Sequence, residues 1–189
     1  MDEWRLRPAG RTDLPELAEI YLRAREAALP AMPPGVHPAD EVRTWVSGWD
    51  LDAWVVWLAE LPEGRPVGYA VVAGDWLHSL YVDPDAAGSG IGTALLDVVK
   101  QQRPEGFCLW VFESNLPARA FYANRGLIEL ERTDGSANEE KAPDVRMAWL
   151  GSDPAMFLRG LLNEVDDLAK DLADRREALV CALEDLGAR

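Results

Sequence analysis

The stretch VDPDAAGSGIGTALL, residues 82–96, ends a hydrophobic run in glycines at 88, 90 and 92 and opens directly into an apolar helical pattern. A helix N-terminus exposes backbone N–H groups that lack a carbonyl partner and carries partial positive charge. Glycines just ahead of it therefore let a phosphate approach those donors closely. The competing reading is a tight turn without a ligand, and for an isolated G-x-G pair it is the stronger one. Three glycines at a strand-to-helix junction favour the cradle. The usual nucleotide signatures fail in detail: Thr93 stands where the dinucleotide fingerprint wants its third glycine, and the lysine of a P-loop is absent. Glu113, about twenty residues beyond the glycines, keeps a dinucleotide-dependent oxidoreductase open as an alternative. The turn at residues 84–87 weakens it, because that fingerprint wants the strand to run straight in.

The elements that must position this cradle can be read from periodicity. EWRLR alternates like a strand, Thr12 stands as an N-cap, and LPELAEIYLRAREAAL follows with apolar residues at helical spacing. Prolines 30, 33, 34 and 38 break the chain before a shorter helix, ADEVRTWVSGW. DAWVVWLAEL and RPVGYAVVAG flank the turn PEG as an antiparallel hairpin, and WLHSLYV is a further strand. Beyond the glycines, TALLDVVKQQ is a helix, GFCLWVF a buried strand, NLPARAFYANRG a short helix closed by Gly126, and LIELER and VRMAWL the last strands. RTDGSANEEKAPD between those two strands is polar and rich in turn residues, the pattern of a mobile loop.

Composition sets the class. At 189 residues the chain has room for one core and an appendage. With 33 Asp and Glu against 19 Lys and Arg, its surface is poorly suited to nucleic acid or anionic lipid. Cys108 and Cys181 are too far apart in sequence for a metal or disulfide spacing and read as buried reduced thiols. No apolar run is long enough to span a bilayer and the start lacks a signal-peptide core, so a soluble cytoplasmic protein is expected.

LYVDPDAAGSGIGTALL followed by LWVFESNLPARAFYANRGL resembles the two core motifs of the GCN5-related N-acetyltransferase (GNAT) family, in order and at the usual separation. The resemblance covers roughly residues 4–150 and is most specific over 80–127. It implies an α/β (α+β) fold with a mixed, mostly antiparallel central sheet, splayed at its middle and flanked by helices. Residues 1–150 would form the GNAT domain and residues 151–189 a long C-terminal helical extension. Acetyl-coenzyme A would wedge where the strand ending at Val82 parts from the strand through Leu109. Leu80, Tyr81 and Val82 would pair with the pantetheine arm, and the amides of Gly88, Ser89, Gly90, Ile91, Gly92 and Thr93 would bind the pyrophosphate. Ala87 departs from the family pattern, which prefers Arg or Gln there. A charge-assisted phosphate contact of that kind is worth about 1.5–3 kcal/mol; Arg119 or Arg125 offers a substitute.

Acetyl transfer from a thioester to an amine needs an uncharged amine, an electrophilic carbonyl and a proton for the departing thiolate. Asn115 caps the next helix and, by resemblance, lies near the pantetheine. Ala118, Phe121 and Tyr122 share a helix face at i, i+3 and i+4. On that resemblance Tyr122 is the general acid, where an amphipathic core aromatic is the plain alternative. A position that serves some family members as base is filled by Trp110, which accepts no proton. His78, Asp75, Glu113 or a water chain are left for that role. His37, in the proline-rich loop, and Glu113 are candidate acceptor-binding residues, and Glu139, Glu140 and Asp144 lie in a loop able to close over an amine. The implied activity is an acetyl-coenzyme A-dependent N-acetyltransferase working by direct transfer in a ternary complex without a metal. A non-catalytic acetyl-coenzyme A sensor is the other alternative.

From Pro154 onward, with Asp153 as N-cap, Leu158, Leu161, Val165, Leu168, Leu172, Leu179, Ala182 and Leu186 fall at steps of three and four, interrupted at Arg175. That repeat predicts a homodimer contact, against the alternative of a helix folded back on its own domain.

Overall fold

The computed structural model describes residues 3–187, and of residues 178 and 181–187 the backbone only. The expectations for the side chains of Cys181, Ala182 and Leu186 lie outside the described residues. Met1–Gly151 and Ser152–Arg189 form two compact units.

The first unit is built on one seven-stranded sheet in the order β1-β2-β3-β4-β5-β7-β6. Its strands are β1 (Arg5–Pro8), β2 (Val55–Glu60), β3 (Pro66–Ala73), β4 (Trp76–Val82), β5 (Phe107–Phe112), β6 (Ile128–Thr133) and β7 (Asp144–Trp149). All neighbours are antiparallel except β4 and β5. Helices α1 (Leu14–Ala27) and α2 (Ala39–Ser47) precede β2, α3 (Ile91–Gln102) makes the crossover from β4 to β5, and α4 (Leu116–Ala123) follows β5. The second unit carries α5 (Pro154–Gly187). No helix among the described residues is long and apolar enough to cross a membrane.

Alternation sorts the core onto two faces of the sheet. Tyr69 and Val71 of β3 pack with Leu17, Ile20 and Val46 of α1 and α2, while Ala70 and Val72 pack with Leu95, Leu96 and Val99 of α3, joined by Val67, which a register shift against β2 takes out of the alternation. A strand buried on both sides needs apolar residues at every position, which is why RPVGYAVVAG reads as a continuous run rather than an alternating one.

Two local expectations differ from the structure. A 3-10 turn at Arg11–Asp13 precedes α1, whose N-cap is Asp13, not Thr12. Arg7 grips the Asp13 carboxylate with both Nη atoms at 2.7 and 2.8 Å and holds its pKa below the usual range. The ion pair competes for the carboxylate, and it makes no side-chain bond to the helix end. The polar loop between β6 and β7 is cross-tied rather than loose. Asn138 donates to the Ala142 carbonyl at 2.7 Å and to Asp144 at 3.0 Å, Thr133 donates to Asp144, and Glu140 meets Arg25 of α1 at 2.8 Å.

Gly68 explains how α3 comes so close to the sheet. A Cβ there would stand 2.9 Å from Ile91 Cγ2 and 3.1 Å from the Tyr81 carbonyl oxygen. Gly68→Val is expected to cost about 1–3 kcal/mol by forcing the helix off the strands, read as a lower urea midpoint with an unchanged m-value. An unaltered midpoint would show that the contact yields freely.

Candidate active site

The site begins where a ladder fails. β4 and β5 share a single bridge, Trp76 with Cys108, closed by the Cys108 N–H donating to the Asp75 carbonyl at 2.8 Å. The β3–β4 register slips between Val71 and Val72: Ser79 faces Val71 and Leu77 faces Val72, so His78 is the extra residue of a bulge. Bulges bend the strand that carries them, and here β4 turns away from β5 just after the bridge. The Asp83 N–H donates to the Val67 carbonyl at 2.8 Å, so Tyr81, two residues earlier in an antiparallel ladder, also directs its backbone at β3. Leu80 and Val82 therefore direct theirs into the gap. Tyr81, expected to offer its backbone too, contributes its ring, 5.0 Å from that of Tyr21.

A cavity of about 510 Å³ occupies this gap, walled by β4, β5, α1, α4 and the β6–β7 loop. At one side, α3 starts from Gly90, with φ of 88°, preceded by Gly88, with φ of 78°. Both adopt left-handed backbone that other residues reach only at a cost, and an added Cβ at either would meet nothing within 4 Å. The N–H groups of Ile91, Gly92 and Thr93 belong to the first turn, which has no preceding carbonyls to bind. Arg125 lies alongside: its guanidinium donates to Thr93 Oγ1 at 2.6 and 3.1 Å and stacks 3.8 Å from the Phe121 ring centroid. Arg119 is spent elsewhere, on Glu129 and the Glu113 carbonyl. The bare backbone, the partial positive charge and a nearby arginine suit a pyrophosphate, and the gap suits an extended amide-bearing arm. Ala87 is exposed and adds no polar group.

On the far wall, Asn115 caps α4 by accepting from the Ala118 N–H at 3.2 Å, and Asn115, Ala118 and Tyr122 all line the cavity. Phe121 points toward the glycines, within 3.5 Å of a Cβ built on Gly92. Tyr122 is only 8% exposed, and burial pushes its phenol pKa well above the ordinary value. A phenol in that setting keeps its proton at neutral pH and stands as a hydrogen-bond donor. His78 also lines the cavity, stacked on Trp54 with ring centroids 5.7 Å apart. Partial burial lowers its pKa, against a smaller opposing effect from the Ala73 backbone, so it is neutral at pH 7 and able to take a proton.

Of the other sequence candidates, Glu140 and Asp144 line the cavity, whereas Glu113, Asp75, His37 and Glu139 fall outside it. Glu113 is turned to Arg132 at 2.7 Å, and Asp75 contributes its carbonyl to the bridge. His37 stands on the adjoining surface, its ring nitrogens each 3.0 Å from a carboxylate oxygen, of Glu41 and of Glu139. Tyr21, Arg25 and Trp45 line the cavity without having been singled out from sequence. Tyr21 and Arg25 stand at i and i+4, with Arg25 Nη1 donating to the Tyr21 hydroxyl at 3.0 Å. Only the pairing of two polar groups on an otherwise apolar helix face marked them. Trp110 lines the cavity too, 44% exposed.

A splayed mixed sheet with a glycine-led helix after β4 and a buried phenol on the wall of the gap is the arrangement that the resemblance to the GNAT family implies. The acetyltransferase (GNAT) family profile matches residues 14–127, and the chain belongs to that family as an N-acetyltransferase. The peptidyl-lysine N-acetyltransferase YiaC of Escherichia coli (strain K12) is 30% identical over 153 residues, covering 76% of this chain and 95% of its own. The apo form of YjaB from Escherichia coli superposes with a TM-score of 0.65 at 24% identity, over 79% of this chain and 99% of YjaB. A phosphinothricin acetyltransferase from Sinorhizobium meliloti, solved with acetyl-coenzyme A, superposes with a TM-score of 0.62 at 20% identity, over 80% and 91% of the two chains.

Proposed function

We propose that this chain transfers the acetyl group of acetyl-coenzyme A directly to the side-chain amine of a protein lysine in a ternary complex. The observation that carries the reading is the cavity itself: Tyr122 and His78 line one space that opens between β4 and β5, and Phe121, next to Tyr122 on α4, lies against Gly92 at the start of α3. Relatives named as peptidyl-lysine N-acetyltransferases support the acceptor class, as does the net charge of −14, which draws cations.

The residues divide the work. Leu80 and Val82 pair with the pantetheine amides through the gap. The amides from Gly88 to Thr93 hold the pyrophosphate, with Arg125 in the place of the arginine absent at Ala87. His78, directly or through one water, takes the proton of the incoming ammonium. The freed amine attacks the thioester carbon and the C–N bond forms as the C–S bond breaks; Tyr122 gives its proton to the departing thiolate, the proton that the new C–N nitrogen sheds on becoming an amide returns through water to the Tyr122 phenolate, and His78 passes the first proton to solvent.

Thiol release from acetyl-coenzyme A, followed against a panel of lysine-containing peptides and free amines, tests the assignment. Turnover on a lysine peptide is the expected result, and binding of coenzyme with no turnover on any amine would replace the enzyme with a sensor. The same assay carries a pH prediction. His78 has a lowered folded pKa, so its accepting form is lost only as pH falls through that lowered value, giving a rising limb on the acid side. His78→Ala is expected to remove that limb and lower kcat by about 10²-fold. An identical profile would leave the proton to a water chain.

A further inference from the structure

We infer that α5 joins two copies of this chain as a parallel, in-register coiled coil. The helix opens with Pro154 at its first position and Asp153 Oδ1 accepting from the Met156 N–H at 3.0 Å, so its start is set by its own residues. Its sequence carries apolar residues at steps of three and four, among them Val165, Leu168, Leu172 and Leu179, and the unit to which it belongs has, among the described residues, no other helix or strand to cover them. An isolated stripe of this length gains stability only against a second surface.

Charge selects the occupant and its direction. With Leu158, Val165, Leu172 and Leu179 at a positions, and Leu161, Leu168 and Arg175 at d, the g positions are Phe157, Glu164 and Asp171 and the e positions are Leu162, Ala169 and Arg176. In a parallel pair each g residue meets the e residue five places on in the other copy. Phe157 then meets Leu162, apolar with apolar, and Asp171 meets Arg176, acid with base, each twice by symmetry, while Glu164 lies beside Ala169 and meets no like charge. An antiparallel pair sets g against g, where Glu164 and Asp171 are both acidic. The helix thus complements a second copy of itself in one orientation. Arg175 is the polar interruption. Its guanidinium is drawn to Asp171 of its own helix at 2.9 Å, toward the g edge and off the seam, leaving its methylenes in the d layer. In register it meets Arg175 of the other copy across the d layer, a like-charge contact that costs stability and that each Asp171 offsets; the register is set by Phe157 with Leu162 and Asp171 with Arg176, pairs that a shift of one heptad breaks.

Light scattering on the full-length protein is expected to give twice the chain mass, and Leu168→Glu to give the monomer mass while helicity and acetyl-coenzyme A binding persist. In a Cys181→Ser background, Val165→Cys is expected to form a disulfide between copies under mild oxidation, which only a parallel pair permits at that off-centre position. Arg176→Glu should weaken association by about tenfold, and adding Asp171→Lys should restore it. A monomeric wild-type protein at high micromolar concentration, or a dimer unaffected by Leu168→Glu, overturns the proposal. A Leu168-dependent dimer in which Val165→Cys does not cross-link overturns the parallel arrangement. None of these readouts depends on the acceptor or on turnover.

Discussion

Tyr122→Phe is expected to lower kcat by about 10²-fold or more, close to 2.7 kcal/mol of transition-state stabilisation, with the KM for acetyl-coenzyme A unchanged. The ring packs in the core beside Leu109, Leu127 and Met147, and phenylalanine keeps that packing. What is lost is the hydroxyl hydrogen, which burial holds in place through the neutral range. Because the thiolate develops only as the C–S bond breaks, the missing donor is felt in the transition state and not in coenzyme binding, so kcat and kcat/KM should fall together. Steady-state kinetics on a lysine peptide decide it. Full activity in the variant would return Tyr122 to the role of a core aromatic.

Gly90→Asp is expected to abolish measurable acetyl-coenzyme A binding in calorimetric titration while the circular dichroism spectrum is retained. Position 90 has left-handed φ of 88°, which costs a non-glycine residue about 1–2 kcal/mol, and an added Cβ has open space around it. The fold should tolerate the change at that cost. The ligand should not, because a carboxylate would stand at the first-turn amides where the pyrophosphate charge belongs. Gly90→Asn is the control: it is nearly isosteric, tolerates the left-handed region and carries no charge, so most of the affinity should return. Unchanged affinity in Gly90→Asp would reduce the glycines to a turn.

Much of the fold was legible in the residues because local signals agree with one another. WLHSLYV is β4 at both ends, and Asn115 caps α4 as its position before LPARAFYA requires. Where two local claims compete for one group, the sequence is silent about the winner: Asp13 could cap α1 or meet Arg7, and proximity across β1 decided for the arginine. The β6–β7 loop reads as polar and turn-rich, which describes its composition well. Asn138 ties the loop to itself at Ala142, but the tie from Arg25 of α1 to Glu140 comes from a partner only the folded chain brings near.

The amino-acid sequence by itself determined the parts whose cause is local: the glycine-led start of α3, the helix face shared by Ala118, Phe121 and Tyr122, and the heptad stripe of α5. Backbone freedom and side-chain period act within a few residues and need no distant partner. Tertiary structure alone decided what each candidate faces. A bulge at His78 opened β4 from β5 and directed that imidazole into the cavity, whereas Glu113 was drawn to Arg132 and His37 to Glu41 and Glu139. The reason is physical: a carboxylate or imidazole goes to the nearest opposite charge or hydrogen-bond partner, and which one is nearest is fixed by strand order and register, not by spacing along the chain.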